Sequence, residues 1–144
     1  MRCKLQEKNL ILCVENDAID AMTVKRAFKD LEIHKELKIV HDGSEALLFL
    51  RDDKNPKPCF ILLDLNMPVM NGFEFLAEIK QDDLLKKYPI IVLTSSDKQK
   101  DREYCFDLNA AGYFIKPPAY AKFINIIKII NDYWNAGKLP IYSS

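Results

Sequence analysis

Asp64 carries the strongest chemical signal in this sequence. It follows the short apolar run Cys59-Phe-Ile-Leu-Leu63 and opens a loop that ends at Gly72. A continuous apolar run between turn residues is typical of a strand that is buried on both faces. Because an unpaired buried charge is unfavourable by several kcal/mol, a carboxylate at the tip of such a strand is not core filler. Ligands of open α/β sheets bind at the carboxyl ends of the strands, where we expect Asp64 to lie.

Three further strand ends carry polar side chains that suit the same chemistry. Glu15 and Asn16 follow the first apolar run, Thr94 ends another, and Lys116 ends the last. Clustered carboxylates repel one another unless a cation joins them, and oxygen ligands without thiolate or imidazole favour Mg²⁺. A metal-neutralised carboxylate can attack phosphorus, while cations and hydroxyl donors stabilise the phosphoryl oxygens. The set therefore predicts phosphoryl transfer to Asp64, supported by Mg²⁺, Lys116 and Thr94.

Alternating strand and helix patterns must bring these residues together. Strands are predicted near residues 9–14, 37–41, 59–63, 88–94 and 112–115, and each is followed by a helix. This alternation predicts a parallel sheet with right-handed crossovers. The expected fold class is α/β: a three-layer sandwich in which a five-stranded parallel sheet is flanked by five helices. The fourth helix, about residues 98–108, has few apolar anchors and is expected to be mobile.

Length and charge limit the class of protein. The chain has 144 residues and equal numbers of basic and acidic side chains, so its formal net charge is zero. One domain over residues 1–144 is expected, with its core at about 8–134 and a short tail at 135–144. Zero net charge gives no electrostatic argument for binding to nucleic acid or a membrane. No apolar stretch approaches the roughly 20 residues of a membrane span and no secretory signal is visible, so a cytoplasmic location is expected.

Four segments together resemble the response-regulator receiver domains of two-component signalling. They are Ile11-Leu-Cys-Val-Glu-Asn-Asp17, Ile61-Leu-Leu-Asp-Leu-Asn-Met-Pro68 with Gly72, Ile91-Val-Leu-Thr-Ser95, and Ala111-Gly-Tyr-Phe-Ile-Lys-Pro117. They occur in the family's order, each at a different strand end, and span the domain. One segment alone is not specific, but the four together are. The resemblance implies a flavodoxin-like sheet with strand order 2-1-3-4-5.

The resemblance also implies roles for individual residues. These are Asp64 as phosphoacceptor; Glu15, Asn16, Asp64 and the backbone carbonyl of Asn66 as Mg²⁺ ligands; Thr94 and Tyr113 as switch hydroxyl and switch aromatic; and Lys116 as phosphate partner, before a cis peptide bond to Pro117. The family's acidic pair is usually two acids, whereas this chain has Glu15-Asn16. Asn offers a carbonyl oxygen with one less negative charge. Two possibilities stay open: a weaker magnesium site, or compensation by Asp17 through water.

The function implied is that of a phospho-accepting response regulator. A partner histidine kinase transfers a phosphoryl group to Asp64, and Thr94 and Tyr113 then move, so that the surface of the fourth helix, fifth strand and fifth helix changes. The segments Thr23-Val-Lys-Arg-Ala-Phe28 and Asp132-Tyr-Trp134 are similar to stand-alone receivers that serve bacterial phytochrome-type histidine kinases. The expected partners are such a kinase and a downstream protein target or phosphotransfer protein, with a homodimer left open. The protein is not expected to be an enzyme beyond its own phosphorylation and dephosphorylation.

Other interpretations use the same residues. A receiver-like interaction module that is not phosphorylated is favoured only by Asn16. A phosphatase of the haloacid-dehalogenase kind also uses a strand-end Asp, but it needs an acid two residues later, where this chain has Asn66, and a cap insertion for which there is no room. A flavodoxin-like flavin carrier needs a Ser/Thr/Gly-rich phosphate loop after the first strand, which this sequence lacks. The site residues, not the fold alone, must therefore decide the function.

Overall fold

The computed structural model of this chain describes residues 10–137, and strands alternate with helices throughout this range. In order, the elements are β1 (Leu10–Val14), α1 (Ala18–Asp30), β2 (Glu36–Val40), α2 (Gly43–Arg51), β3 (Phe60–Leu63), α3 (Gly72–Gln81), β4 (Ile90–Thr94), α4 (Gln99–Asp107), β5 (Gly112–Ile115) and α5 (Tyr120–Ala136). The predicted α/β class is confirmed. The predicted start of the first strand at Asn9 and the end of the predicted tail lie outside the described residues.

The five strands of the described region form one parallel sheet in the order β2-β1-β3-β4-β5, as predicted. Val14 of β1 pairs with Leu63 of β3, and Leu63 pairs with Val92 of β4. Thr94, the last residue of β4, pairs with Ile115, the last residue of β5. The carboxyl ends of these four strands therefore meet at one edge of the sheet.

The central strands β1, β3 and β4 are buried along their whole length, whereas the edge strands β2 and β5 are partly exposed. Successive side chains of a strand point to opposite faces, so Ile11 and Cys13 join one apolar cluster and Leu12 and Val14 join the other. Helices α1 and α5 cover the first face, and α2, α3 and α4 cover the second. Burial on both faces explains why the central strands are continuous apolar runs.

Helix starts near the site are stabilised by side-chain caps. Asp17 caps α1, Asp42 caps α2 and Asn71 caps α3, each accepting a hydrogen bond from a backbone N–H of the first turn. By contrast, α4 begins without a side-chain cap, and Cys105 is its one buried residue. An uncapped and thinly packed helix opens at a low free-energy cost, which fits the expected mobility of α4.

Two element bounds differ from the sequence prediction by more than one residue. β4 begins at Ile90, two residues later than predicted, because Pro89 has no N–H to donate to the sheet. α5 continues to Ala136, one turn beyond its predicted end. The added turn keeps Trp134 buried against Phe60, with ring centroids 4.6 Å apart. No helix within residues 10–137 has the length and apolar character of a membrane span.

Gly72 packs closely against the backbone of the loop that follows Asp64. A Cβ at this position would lie 2.6 Å from the Cα of Leu65 and closer still to the carbonyl oxygen of Asp64. Both are backbone atoms, so the loop would have to shift, and we expect Gly72→Ala to lower the free energy of unfolding by about 1–3 kcal/mol. Urea denaturation measures this change. The control is Gly112→Ala, whose Cβ would meet nothing closer than 3.4 Å; an equal loss in both variants would contradict the steric explanation.

Candidate functional site

A buried ammonium group lies among three carboxylates at the carboxyl edge of the sheet. Lys116 Nζ donates hydrogen bonds to Glu15 Oε1 at 2.6 Å and to Asp20 Oδ2 at 2.8 Å, and it lies 3.7 Å from Asp64 Oδ1. The side chains of Glu15, Asp64 and Lys116 are 4%, 7% and 11% exposed, whereas that of Asp20 is 42% exposed. When all are ionised, the cluster sets three negative charges against one positive charge.

The sheet register places these side chains. Glu15 and Asp64 directly follow paired residues of β1 and β3, and the Asp64 N–H donates to the carbonyl of Val14 at 3.1 Å. The two carboxylates therefore leave adjacent strands at the same level. The Lys116 N–H donates to the carbonyl of Thr94 at 2.7 Å, so the backbone continues the pairing of β5 with β4. From there the lysine side chain reaches across the strand ends to β1.

Burial and charge act in opposite directions on this cluster. Burial raises the pKa of Glu15 to about 7, because desolvation of the carboxylate outweighs the hydrogen bond and charge of Lys116, and the charge of Asp64 adds to the rise. Burial acts to lower the pKa of Lys116, but its hydrogen bonds to Asp20 and Glu15 outweigh burial and raise that pKa above its usual value. Lys116 therefore stays charged at neutral pH, while Glu15 is only partly ionised. One ammonium does not balance the acids around it.

The loop over residues 64–72 is held at its base and strained at its tip. The Gly72 N–H donates to the carbonyl of Leu65 at 3.0 Å, and the side chains of Leu65 and Met67 are buried. Val69 at the tip is 83% exposed and has a φ of 63°. The left-handed region is unfavourable for a β-branched residue, by about 1–3 kcal/mol. The buried base therefore keeps the segment after Asp64 in one conformation despite this strain.

The two predicted switch residues contact the same backbone segment. Thr94 is fully buried at the end of β4, and its hydroxyl oxygen accepts a long hydrogen bond of 3.4 Å from the Ser96 N–H. Tyr113 is half-buried, and its hydroxyl donates to the carbonyl of Ser96 at 3.0 Å. Its ring lies 6.5 Å from that of Phe106 on α4. A movement of the segment after β4 would therefore change the surroundings of both side chains.

The oxygen atoms gathered at this edge are of the types that bind a divalent cation. Glu15 and Asp64 offer buried carboxylate oxygens, and the adjoining Asn16 and Asn66 are exposed at the same strand ends. Within residues 10–137, three His, Cys, Asp or Glu side chains are nowhere gathered as a preformed metal site. At this edge the Lys116 ammonium lies within 4 Å of Glu15, Asp20 and Asp64. The site thus suits a divalent cation in two ways: it offers oxygen ligands, and it carries more negative than positive charge.

Not every expectation for the site is met. The side chain of Asp17 caps α1, since its Oδ1 accepts hydrogen bonds from the backbone N–H groups of Ile19 and Asp20, and its own backbone N–H donates to Glu15 Oε2 at 3.2 Å. Compensation by Asp17 through water stays a prediction. The implied cis peptide bond before Pro117 is wrong for this structure. All peptide bonds within residues 10–137 are trans, which before proline is favoured by about 0.5–1 kcal/mol.

Asp20 is the site residue that the sequence analysis missed. It lies in the first turn of α1, four residues after Asn16. An acid in a first turn is usually explained by the helix dipole, so its position alone did not mark it. The available signal was that Asp17 already fills the cap position, which leaves the Asp20 side chain free to face the strand ends.

A family model described as "Response regulator receiver domain" matches residues 11–128. The chain is 36% identical over 129 residues to response regulator Rcp1 of Synechocystis sp., an alignment that covers 87% of this chain and 88% of that protein. The crystal structure of the Mn²⁺-bound form of Rcp1 matches with a TM-score of 0.84 and 35% identity, over 91% of this chain and 98% of that chain.

Two further solved structures are similar. The phosphorylated cyanobacterial phytochrome response regulator RcpA matches with a TM-score of 0.85 and 34% identity, over 91% of this chain and 97% of that chain. The receiver domain of sensor histidine kinase PA1611 from Pseudomonas aeruginosa, with a magnesium ion coordinated in the active site cleft, matches with a TM-score of 0.70 and 26% identity. That match covers 89% of this chain and 98% of the other.

The balance of burial and charge at Glu15 can be measured by following its carboxyl carbon against pH by NMR in metal-free protein, with Glu15→Gln to assign the signal. We expect a midpoint near 7, and a higher midpoint in Lys116→Met, because that variant removes the interactions that lower the pKa of Glu15.

The same titration has a consequence for stability. The folded-state pKa of Glu15 lies above its ordinary value of 4.5, so the contribution of Glu15 to stability is full below pH 4.5 and is lost as the pH rises through about 7. If the NMR titration of the Glu15 carboxyl in wild-type protein has its midpoint near 4.5, the ion pair with Lys116 outweighs burial instead.

Proposed function

Because this chain belongs to the response regulator receiver domain family, we propose that it accepts a phosphoryl group on Asp64 from a partner histidine kinase and signals by a change of its surface. The observation that supports this most directly is the short distance between the buried carboxylate of Asp64 and the buried ammonium of Lys116. Asp64 Oδ1 lies at the end of β3, 3.7 Å from Lys116 Nζ. Negative oxygens added to Asp64 would arrive beside a cation that stays charged.

Transfer to Asp64 needs a nucleophilic oxygen and a partner for the new charge. A carboxylate oxygen of Asp64 forms a bond to phosphorus while the phosphorus–nitrogen bond of the kinase phosphohistidine breaks. The electron pair remains on the imidazole nitrogen, which takes up a proton. The product is an acyl phosphate inside a pocket that already lacks positive charge. Lys116 can follow the new oxygens because its ammonium is carried on a long, flexible side chain.

A divalent cation is proposed to complete the charge balance. Glu15, Asp64, the backbone carbonyl of Asn66 and the amide oxygen of Asn16 would hold it, and this all-oxygen set favours Mg²⁺. When bound, the ion would neutralise the carboxylates and shield the charge of the phosphoryl group. The Mn²⁺-bound form of Rcp1 and the magnesium ion in the PA1611 receiver support a divalent ion here. Asn16 supplies a neutral oxygen, so the charge of the binding set is lower than with two acids.

Thr94 and Tyr113 are proposed to convert phosphorylation into a change of shape. The Thr94 hydroxyl would donate to a phosphoryl oxygen and draw the segment after β4 toward Asp64. Tyr113, which is bonded to the carbonyl of Ser96 in that segment, would then leave it and turn inward. The thinly packed α4 would move with the segment, as a shift between two existing populations. The surface of α4, β5 and α5 would carry the signal to a partner.

The partners, the domain bounds and the location of the protein are proposed as follows. A phytochrome-type histidine kinase is proposed as the donor, since RcpA is a phytochrome response regulator. The signal is proposed to pass to a downstream protein target or phosphotransfer protein, or through a homodimer. We assign residues 1–144 to one receiver domain in the cytoplasm, where the free, buried thiols of Cys13, Cys59 and Cys105 would stay reduced. Its own phosphorylation and dephosphorylation would be its only chemistry.

Phosphotransfer tests the proposal directly. Wild-type protein is mixed with autophosphorylated candidate kinases, or with acetyl phosphate and Mg²⁺, and analysed by intact mass. We expect the mass of one phosphoryl group to be gained and to be lost again at alkaline pH, as an acyl phosphate requires. Asp64→Asn has to abolish the gain, because the amide is not a nucleophile at neutral pH. The matched control is Asp53→Asn, in an exposed loop. A gain that survives Asp64→Asn would rule out this assignment.

The Tyr113 contact can be tested without phosphorylation. Tyr113→Phe keeps the ring and removes the hydrogen bond to the carbonyl of Ser96. A lost hydrogen bond of about 0.5–1.5 kcal/mol predicts that amide exchange in residues 95–98 becomes about 2- to 12-fold faster. Hydrogen–deuterium exchange with mass spectrometry measures this rate. Tyr133→Phe, at an exposed residue of α5, serves as the control, and equal exchange in the two variants would argue against the switch contact.

A further inference from the structure

We propose that Asp20 supplies the negative charge that Asn16 lacks and holds the Lys116 ammonium before phosphorylation. The proposal deepens the phosphoacceptor function and rests on it. Asp20 is thus assigned as a positioning residue of the site, which acts through Lys116 and through the charge of the pocket.

The side chain of Asp20 is not used by its own helix. Asp17 already caps α1, and its Oδ1 accepts the backbone N–H of Asp20 itself at 3.1 Å. The carboxylate of Asp20 instead faces the sheet edge, where Oδ2 accepts a hydrogen bond from Lys116 Nζ at 2.8 Å. The contact joins α1 to the end of β5, far apart in the sequence. A carboxylate that served only the helix dipole would have no need of this partner.

Counting charges shows what Asp20 adds. When all are ionised, as metal binding requires, Glu15 and Asp64 set two negative charges against the one positive charge of Lys116, which leaves a single uncompensated charge. With Asp20, the excess is two negative charges, which is the charge that a divalent cation neutralises. Asp20 and Asp64 share Lys116 as a neighbour, at 2.8 and 3.7 Å. Their separation is therefore shorter than the screening length of about 8–10 Å at ordinary ionic strength, so the Asp20 charge is felt at Asp64.

The exposures of Glu15 and Asp20 indicate which of their hydrogen bonds to Lys116 breaks when Asp64 is phosphorylated. An ammonium has three donors, and in this structure two of them are used by Glu15 and Asp20. The distance of 3.7 Å to Asp64 is too long for a hydrogen bond. A phosphoryl group on Asp64 can accept from the third donor, and an ammonium that moves toward it has to lengthen one of its two present hydrogen bonds. Asp20 is 42% exposed and water can solvate it once it is released, whereas Glu15 is 4% exposed and would keep only the backbone N–H of Asp17, with no cation beside it. Lys116 is thus expected to pivot on Glu15 and to leave Asp20.

The test measures Mg²⁺ affinity of the unphosphorylated full chain by isothermal titration calorimetry. We expect Asp20→Asn to weaken Mg²⁺ binding by about three- to tenfold, an effect that shrinks as ionic strength rises. Adding an acid back in Asn16→Asp/Asp20→Asn should restore the affinity to within about twofold of wild type, because the two positions serve the same pocket. The control is Asp30→Asn, which removes the same charge at the other end of α1 and should leave the affinity unchanged.

A second readout separates charge from positioning. At saturating Mg²⁺, phosphorylation of Asp20→Asn by acetyl phosphate should be at least as fast as in wild type, because a neutral amide oxygen holds the ammonium less strongly than a carboxylate does. In Asp20→Asn, the Mg²⁺ concentration needed for half-maximal rate should thus rise, while the rate at saturating Mg²⁺ should not fall. A lower rate at saturating Mg²⁺ would overturn the pivot from Asp20.

Wild-type Mg²⁺ affinity in Asp20→Asn, or a double variant no tighter than Asp20→Asn, would overturn the charge role. Circular dichroism checks folding, and Asp20→Ser repeats the comparison if Asp20→Asn does not fold. Failure of the proposed function looks different, since wild type itself would then gain no phosphoryl group on Asp64. If wild type is phosphorylated and Asp20→Asn keeps full affinity, only the inference about Asp20 fails.

Discussion

The charge balance around Lys116 is the constraint on which the rest of the site depends. Glu15 and Asp64 are buried carboxylates that could not remain ionised in the interior without a nearby cation. Lys116 provides one, at the cost of its own desolvation, and the raised pKa of Glu15 shows that it is not enough. A site in this condition favours whatever brings further positive charge. The lack of positive charge around Glu15 and Asp64, rather than a complete set of contacts, is what favours the binding of a cation.

The scaffold separates a rigid holder from a part that can move. The central strands are buried on both faces, and they set the level at which Glu15 and Asp64 face each other. The loop after Asp64 is packed at its base, even though this holds Val69 in an unfavourable conformation. On the other side of the site, α4 has no cap and little burial, and Tyr113 reaches the backbone beside it. Chemistry needs the first part to stay fixed, and signalling needs the second to shift at low cost.

Much of the site could be predicted because parallel strands bring their carboxyl ends to one edge. Asp64, Glu15, Thr94 and Lys116 each follow or end an apolar run, so their meeting follows from the alternating pattern once the sheet is known to be parallel. Asp20 could not be found in this way, since it lies within a helix and its target is a lysine almost a hundred residues away. The trans bond before Pro117 was not predictable either, because both isomers of such a bond are low in energy.

The sequence by itself determined the elements, their parallel arrangement and the residue types at each strand end, because hydrophobic periodicity and capping are local properties. Through its resemblance to the family, it also implied that Asn16 stands where an acid is usual. Only the tertiary structure decided which partner each charge has. Asp17 was taken by the backbone of α1, and Asp20 was brought against Lys116. Charge pairing depends on distance in space, and the crossing of α1 over the sheet sets that distance, which no local pattern encodes.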